Sequence, residues 1–135
     1  MAKFGSTSNN RLMTCHEDIQ AILNEAIKEY DFSVVEGHRT LEKQQKYFTD
    51  GFSKCDGVSK KSRHQSLPSM AVDIAPYVNG KIEWNDSKEW SKLARSLFNA
   101  SQKLLKEGKI KHRLRWGGFW TSFVDKPHWE LRDGY

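Results

Sequence analysis

The sequence predicts a single α+β domain in which a small antiparallel sheet is flanked by helices. Helix and strand patterns follow one another in the order α, β, α, β-hairpin, α, β, which is typical of this class. Asn79-Gly80 forms the hairpin connection, and this dipeptide favours the tight turn between antiparallel strands. At 135 residues the chain is long enough to bury one hydrophobic core, so we expect one domain over residues 1–135.

The first half of the chain predicts two helices and one strand. Apolar residues at three- and four-residue spacing predict an amphipathic helix over 18–30, and the short apolar run at 32–35 predicts a strand. Thr40 is a suitable N-cap for a second helix that ends before Gly51. Residues 1–12 are mostly small and polar, and we expect them to form a loosely ordered N-terminal arm.

The second half predicts a long loop, a hairpin, a helix and two further strands. Residues 51–69 are rich in Gly, Ser, Lys and Asp, and loops of this length in compact domains are often functional. The helix is predicted over 87–106, with its apolar residues on one face and Gly108 past its end. The predicted strand segments are 71–75, 77–84, 114–116 and 128–131.

The bulk composition is that of a soluble globular protein. There are 22 Lys and Arg residues against 17 Asp and Glu, which gives a formal net charge of +5. That balance suits a polyanion, but the basic residues are scattered, so we do not expect nucleic acid as the partner. Cys15 and Cys55 are isolated thiols, as in proteins of a reducing cytosol. No apolar signal segment or membrane span is recognisable, and we expect a soluble monomer that does not insert into membranes.

Three residues stand out against their surroundings: His64, Asp73 and His128. His64 lies in the polar loop, and His128 opens the last predicted strand. Asp73 interrupts an apolar strand, where a carboxylate is costly unless a partner neutralises it. Two imidazoles and one carboxylate are a common catalytic zinc set that leaves a fourth position for water. Each residue alone has a plainer interpretation, as an exposed or core histidine or as a carboxylate bonded to the backbone.

A hydrolytic metal site also needs a general base, and the spacing leaves two candidates. Glu130 shares a strand face with His128, so it is placed to act as the base or to support that histidine. Asp125 precedes the same strand in a turn stiffened by proline, which can direct its carboxylate back over the metal. Arg39 follows a predicted strand and is suited to hold a substrate oxygen as negative charge develops on it.

Several short motifs occur in order through nearly the whole chain. They are Val35-Glu36-Gly37-His38-Arg39-Thr40, Ser62-Arg63-His64, Ala71-Val72-Asp73-Ile74-Ala75-Pro76, Trp116-Gly117-Gly118-Phe119-Trp120 and Asp125-Lys126-Pro127-His128-Trp129. Together they resemble the signature of the LAS zinc metallopeptidases. That family comprises D-alanyl-D-alanine carboxypeptidases and L-alanyl-D-glutamate endopeptidases, among them phage endolysins of this size. The resemblance implies the α+β fold shared by Hedgehog domains and D,D-peptidases.

The resemblance also implies a role for each candidate residue. The implied Zn²⁺ ligands are His64, Asp73 and His128. It favours Asp125 over Glu130 as the general base, because the family has an acidic residue three positions before its last histidine ligand. It implies that Arg39 binds substrate and stabilises the transition state, and that Ser62 supports the first ligand. Trp116, Trp129 and Glu130 are expected to contribute further substrate contacts.

The segment 73–84 is most similar to the endolysin branch of the family. This implies cleavage after L-alanine in the stem peptide of the bacterial cell wall, by an enzyme made in the host cytoplasm and released by a separate holin-like protein. The loop between His64 and Asp73 is longer than in many members, and Phe119 stands where relatives often have aspartate. Two other functions are retained as alternatives: a D-alanyl-D-alanine carboxypeptidase, and a non-catalytic domain that binds the cell wall.

Overall fold

The computed structural model describes residues 2–120 and 124–132, which form four α-helices and five β-strands. The helices are α1 (Ser6–Leu12), α2 (Glu17–Ala26), α3 (Leu41–Thr49) and α4 (Ser87–Lys106). The strands are β1 (Phe32–Glu36), β2 (Ala71–Val78), β3 (Lys81–Ile82), β4 (Arg113–Trp116) and β5 (His128–Arg132). Short 3-10 turns cover Arg63–Gln65 and Gly117–Phe119. Within the described ranges, no helix has the length and apolar character needed to cross a membrane.

The strands form one antiparallel sheet in the order β1-β2-β5-β4, and the short β3 pairs with the end of β2. This arrangement confirms the predicted α+β class. The β2–β3 hairpin turns at Asn79 and Gly80, whose φ angles are 52° and 81°, as the Asn-Gly pair predicts. The interior strands β2 and β5 carry Asp73 and His128, so the sheet itself positions two of the predicted ligands.

The hydrophobic core lies between the sheet and the apolar faces of α2 and α4. Ile19, Ile22 and Leu23 of α2 are fully buried, as is Leu97 of α4. The helix α4 has the predicted bounds. The helix α2 ends at Ala26, earlier than predicted, and a turn follows in which the N–H groups of Lys28 and Glu29 bond three residues back, to Glu25 and Ala26.

The N-terminal segment differs from its predicted loose arm. Residues 6–12 form α1, which packs against β1 with Leu12 only 1% exposed. At the outer edge of β1 this helix satisfies the backbone of Val34, because Ser8 Oγ accepts from the Val34 N–H at 3.0 Å and Arg11 Nη1 donates to the Val34 carbonyl at 3.1 Å. A helix this short with a single buried apolar residue has no recognisable periodicity. The polar composition of the segment therefore predicted a loose arm where the structure has a helix.

Candidate active site

A cleft of about 670 Å³ opens beside β2 and β5, next to the loop that follows α3. It gathers every predicted site residue except two tryptophans. Those residues are Arg39, Ser62, His64, Asp73, Asp125, His128 and Glu130. Basic side chains of the loop, including Lys54, Lys60 and Lys61, form part of the wall. Residues from distant parts of the sequence therefore converge on one cavity.

His64, Asp73 and His128 meet in the buried part of this cleft. His64 lies on the first 3-10 turn, while Asp73 and His128 are directly paired across β2 and β5. His64 Nε2 is 3.2 Å from both Asp73 Oδ1 and His128 Nδ1, and the last two atoms are 3.5 Å apart. Tetrahedral zinc with bonds of about 2.05 Å separates its ligand atoms by about 3.3 Å. The triangle therefore has the dimensions of a metal site.

Each imidazole is oriented by a hydrogen bond on its other nitrogen. His64 Nδ1 donates to the Gly37 carbonyl and His128 Nε2 donates to Glu130 Oε1, both at 2.7 Å. A neutral imidazole has one N–H, so His64 Nε2 and His128 Nδ1 present lone pairs towards Asp73 Oδ1. Three electron-pair donors this close repel one another unless a cation lies between them. The donor set therefore fits a divalent metal ion, and the outer hydrogen bonds are those that orient metal-binding histidines.

Electrostatics within the cluster also favours a cation. Burial opposes a charge on Asp73, but the neighbouring His64 and hydrogen bonds from both histidines hold the pKa of its carboxyl well below the usual range. Burial likewise opposes a charge on His128, but its hydrogen bonds to Asp73 and Glu130 raise its pKa to about 9. Without a metal, His128 therefore holds a second proton on Nδ1 facing Asp73, and a metal ion that binds there displaces this proton and meets the lone pair. The carboxylate of Asp73 is therefore ionised and attracts positive charge into the site.

Local backbone features hold the first histidine in place. Ser62 caps the 3-10 turn, since its Oγ accepts from the His64 N–H at 3.2 Å while the Gln65 side chain accepts from the Ser62 N–H at 2.9 Å. Gly37 approaches Thr14 so closely that a Cβ would overlap the Thr14 hydroxyl. Only glycine fits there, and this close approach brings the Gly37 carbonyl to His64.

Arg39 is 6% exposed and orients the carboxylate of Asp73. Its Nε donates to Glu36 Oε1 at 2.8 Å, and its Nη1 donates to Gln44 Oε1 at 2.7 Å. Its Nη2 lies 3.3 Å from Asp73 Oδ2, which leaves Oδ1 for the histidines. The guanidinium also lies 4.5 Å from the centre of the Tyr47 ring. Arg39 is thus held rigidly while it lines the cleft, and its contact with Asp73 was not foreseen from the sequence.

Asp125 lines the cleft from the turn that precedes β5. Its N–H donates to the Gly117 carbonyl at 2.9 Å, and its carbonyl accepts from the His128 N–H at 3.2 Å. A Cβ at Gly117 would overlap the Asp125 carbonyl, so this glycine lets the turn close on the site. Burial and the nearby charge of Asp73 raise the pKa of the Asp125 carboxyl. A carboxylate with a raised pKa is suited to take up a proton during catalysis.

Glu130 lies on the same strand face as His128 and has different surroundings from Asp125. Its Oε1 accepts from His128, and its Oε2 lies 3.1 Å from Arg63 Nε and 3.8 Å from Arg115 Nη1. Burial opposes its charge, but the hydrogen bond from His128 and the charges of His128 and the two arginines lower the pKa of Glu130. A carboxylate in this state orients the histidine and is poorly suited to take up protons.

Comparison with known proteins assigns the family. The sequence profile of the family described as "Phage L-alanyl-D-glutamate peptidase" matches residues 1–132. The chain belongs to this family. A curated relative, the L-alanyl-D-glutamate peptidase of Escherichia phage T5, is 34% identical over 134 residues, which cover 98% of this chain and 90% of the relative.

The fold of this peptidase is similar to the crystal structure of the Serratia marcescens L-Ala D-Glu endopeptidase ChiX. The TM-score is 0.79 at 24% sequence identity, and the match covers 96% of this chain and 90% of that chain. The likeness shows a shared fold, in agreement with the α+β class predicted from the sequence.

Two tryptophans of the peptidase lie away from the cleft. Trp129 is 1% exposed and packs against Phe98 and Trp116, so the prediction that it contacts substrate is wrong. Side chains alternate along β5, and Trp129 points away from the face that carries His128. Trp116 lines a separate groove that adjoins the cleft. In contrast, Trp120 reaches the cleft with its ring 5.0 Å from that of His128, a contact that sequence reasoning missed.

A second group of two histidines and one aspartate was also missed. The possible ligand atoms of His16, Asp18 and His112 lie within 4.8 Å of one another. Asp18 Oδ2 accepts hydrogen bonds from the backbone N–H groups of Lys111 and His112 and from His112 Nδ1, at 3.0, 3.1 and 2.7 Å. His16 Nδ1 accepts from the Asp18 N–H and caps α2. The group joins the start of α2 to the segment before β4.

Proposed function

We propose that this peptidase is a zinc-dependent endopeptidase that cleaves the L-alanyl-D-glutamate bond in the stem peptides of bacterial peptidoglycan. The observation that carries the proposal is the convergence of His64 Nε2, Asp73 Oδ1 and His128 Nδ1 to within 3.2–3.5 Å of one another in the cleft. The family and the activity of the phage T5 relative support the choice of bond.

The metal would be held by the two histidines and Asp73. Zinc suits two imidazoles and one carboxylate, and three protein ligands leave a position open towards the cleft. When bound there, zinc supplies a Lewis acid that polarises the scissile carbonyl and makes water more acidic. Glu130 and the Gly37 carbonyl keep the two imidazoles turned towards the ion.

Asp125 would move the proton that amide hydrolysis requires. It lines the cleft close enough to Asp73 and His128 for their charges to act on its pKa. Its carboxylate accepts a proton from the attacking water and then donates that proton to the departing amine of D-glutamate. The raised pKa suits both transfers, because the carboxyl group must hold the proton between them.

Arg39 would stabilise the negative charge that develops on the scissile carbonyl oxygen. Each terminal guanidinium nitrogen carries two N–H bonds, so Nη1, which contacts Gln44, can also donate to a substrate oxygen, whereas Nη2 already faces both Glu36 and Asp73. Glu36 and Gln44 fix the guanidinium beforehand, so little reorganisation is needed in the transition state. Ser62 would support the same step by holding the turn that carries His64.

In the cell, we propose a monomeric single-domain endolysin that accumulates in the host cytoplasm. A separate holin-like protein would then permeabilise the membrane and give it access to the wall. The phage family to which the chain belongs supports this role.

Metal analysis and mass spectrometry of digested cell wall test the proposal together. The zinc-loaded protein is incubated with purified sacculi, and we expect about one zinc per chain and released peptides that begin with D-glutamate. L-alanine should stay on the glycan strands. Free D-alanine would show a carboxypeptidase instead, and binding to sacculi without any released fragment would show a non-catalytic domain.

A further inference from the structure

A second groove, of about 430 Å³, adjoins the cleft and is lined mainly by aromatic side chains. Its aromatic lining residues are Phe98, Trp116, Phe119 and Trp120. Arg115 and Trp120 line both cavities, so the groove adjoins the candidate active site. We refer to it as the aromatic groove.

The rings of the aromatic groove pack against one another and against the buried ring of Trp129. Phe119 stacks on Phe98 with centroids 5.9 Å apart and meets the edge of Trp116 at 4.8 Å. Trp116 in turn stacks on the buried Trp129 at 5.4 Å. Even so, Phe119 is 69% exposed. A rigid aromatic face left open to solvent is suited to stack against an apolar ring face of a ligand, and the guanidinium of Arg115 can donate to that ligand's carbonyl oxygens.

The opposite wall of the cleft is cationic. Lys54, Lys60 and Lys61 belong to the loop after α3, which is held against that helix where Gln44 Nε2 donates to the Cys55 carbonyl at 2.6 Å. The sheet order β1-β2-β5-β4 separates the two walls, since α3 and its loop follow β1 whereas the aromatic groove is built around β4. The cleft therefore has an aromatic end and a lysine end.

The proposed substrate has the same asymmetry. On the amino side of the scissile bond, L-alanine is joined by an amide to N-acetylmuramic acid, which presents a sugar ring and an acetamido group without a free carboxylate. On the other side, D-glutamate has a free α-carboxylate beside the scissile nitrogen, and further carboxylates follow along the stem. Opposite charges favour the lysine end for the acidic part of the stem.

We propose that the aromatic groove binds the N-acetylmuramic acid residue, so that the stem peptide crosses the cleft with its acidic residues towards Lys54, Lys60 and Lys61. This inference rests on the proposed function, because it assumes that the L-alanyl-D-glutamate bond lies at the metal site. The peptidase would then recognise the junction between sugar and peptide as well as the peptide itself.

A pair of substrates that differ only in the sugar tests the aromatic end. One is N-acetylmuramyl-L-Ala-γ-D-Glu-diaminopimelate, and the other carries a simple acetyl group in place of the muramyl group. We expect the wild-type protein to show a higher kcat/KM for the muramyl substrate, and Phe119→Ala to reduce the ratio of the two kcat/KM values about tenfold. Phe48→Ala is the matched control, because Phe48 is an exposed phenylalanine of α3 that lines neither cavity. That variant should leave the ratio within about twofold of wild type, as ordinary surface changes do.

A second pair of substrates tests the lysine end. The D-glutamate α-carboxylate is either free or converted to an amide, and we expect Lys60→Gln combined with Lys61→Gln to lower the preference for the free acid about threefold. Phe119→Ala should not change that preference. Equal cleavage of muramyl and acetyl substrates by wild type, or an unchanged muramyl preference in Phe119→Ala, would overturn the inference while leaving the proposed function intact. Failure to cleave either substrate between L-alanine and D-glutamate would overturn the proposed function itself.

Discussion

Two clusters in this peptidase have the same composition, two histidines and one aspartate, and very different surroundings. In the cluster of His16, Asp18 and His112, one carboxylate oxygen already accepts three hydrogen bonds from the protein. In the cluster of His64, Asp73 and His128, the imidazole N–H groups point outwards and the lone pairs point inwards. We call them the Asp18 cluster and the Asp73 cluster.

The two clusters differ in the hydrogen bonds that the rest of the chain makes to their carboxylate and imidazole groups. Backbone N–H groups satisfy Asp18, which makes that cluster a polar connection between two segments. Around Asp73 the N–H groups of the histidines are taken by Gly37 and Glu130, so three acceptors face one another in an open cleft. Two clusters of the same composition and similar proximity can therefore differ in whether they suit a metal ion. The hydrogen bonds on the outward-facing ring nitrogens of the histidines make the difference here.

The largest contrast is expected when one histidine of each cluster is removed. His64→Ala should lose tight zinc binding and reduce wall hydrolysis at least a thousandfold, because a three-ligand site cannot hold the ion with two. His112→Ala should keep one zinc per chain and most of the activity. Equilibrium dialysis followed by metal analysis, with turbidity clearing of permeabilised cells, measures both. Equal zinc loss in the two variants would contradict the distinction between the clusters.

The next largest effect is expected at Asp125, which serves the Asp73 cluster without binding the metal in our proposal. Asp125→Asn should reduce kcat about 10²- to 10⁴-fold, because the amide cannot accept the proton from water. Zinc content should be unchanged, and Asp50→Asn, at the exposed end of α3, provides the control. If Asp125→Asn loses zinc in proportion to activity, Asp125 is a ligand and its assigned role is wrong.

A smaller effect is expected for the carboxylate behind His128. Glu130→Ala should weaken zinc affinity about 10- to 100-fold, because the imidazole loses the acceptor that holds its Nε2–H outwards. Glu130→Gln should fall between this variant and wild type, since its amide oxygen can still accept that hydrogen bond. Competition with a chromophoric chelator measures the affinity apart from any activity. Identical affinities in all three proteins would show that the hydrogen bond does not matter to the metal.

The smallest effect on activity is expected in the Asp18 cluster, where stability should change instead. Burial opposes a charge on Asp18, but hydrogen bonds from His112 and the backbone lower the pKa of its carboxyl. The ionised carboxylate of Asp18 therefore stabilises the folded state. Asp18→Asn should therefore lower the free energy of unfolding by about 1–2 kcal/mol at pH 7. The difference from wild type should shrink as the pH falls below about 4, where Asp18 becomes protonated in the unfolded chain, and should vanish at still lower pH, where it becomes protonated in the folded protein. Urea unfolding at several pH values measures it, and a difference that grows towards low pH would contradict the assignment.

The sequence was sufficient to predict which three side chains, those of His64, Asp73 and His128, lie together, but not all of their surroundings. Asp73 interrupts an apolar strand and His64 lies in a polar loop, so each departs from its local pattern. The acceptor behind His64, the Gly37 carbonyl, depends on the packing of separate segments. Glu130 shares a strand face with His128, and spacing alone left open whether it supports that histidine or acts as the base.

Two other features of the molecule could not be predicted from the sequence. The Asp18 cluster joins residues 94 positions apart, and no local pattern relates them. The short helix α1 is recognisable only from its contact with β1. Trp129 is a different case, because strict alternation along β5 places it opposite His128, and that rule was available from the sequence.

The position of β5 has a consequence for how the enzyme is made. It is the last strand to leave the ribosome among those described, yet it lies inside the sheet between β2 and β4 and supplies His128. A nascent chain that has not yet emerged past this strand lacks a complete sheet and the third proposed ligand, His128. We therefore expect translation products interrupted before His128 to lack activity on the wall.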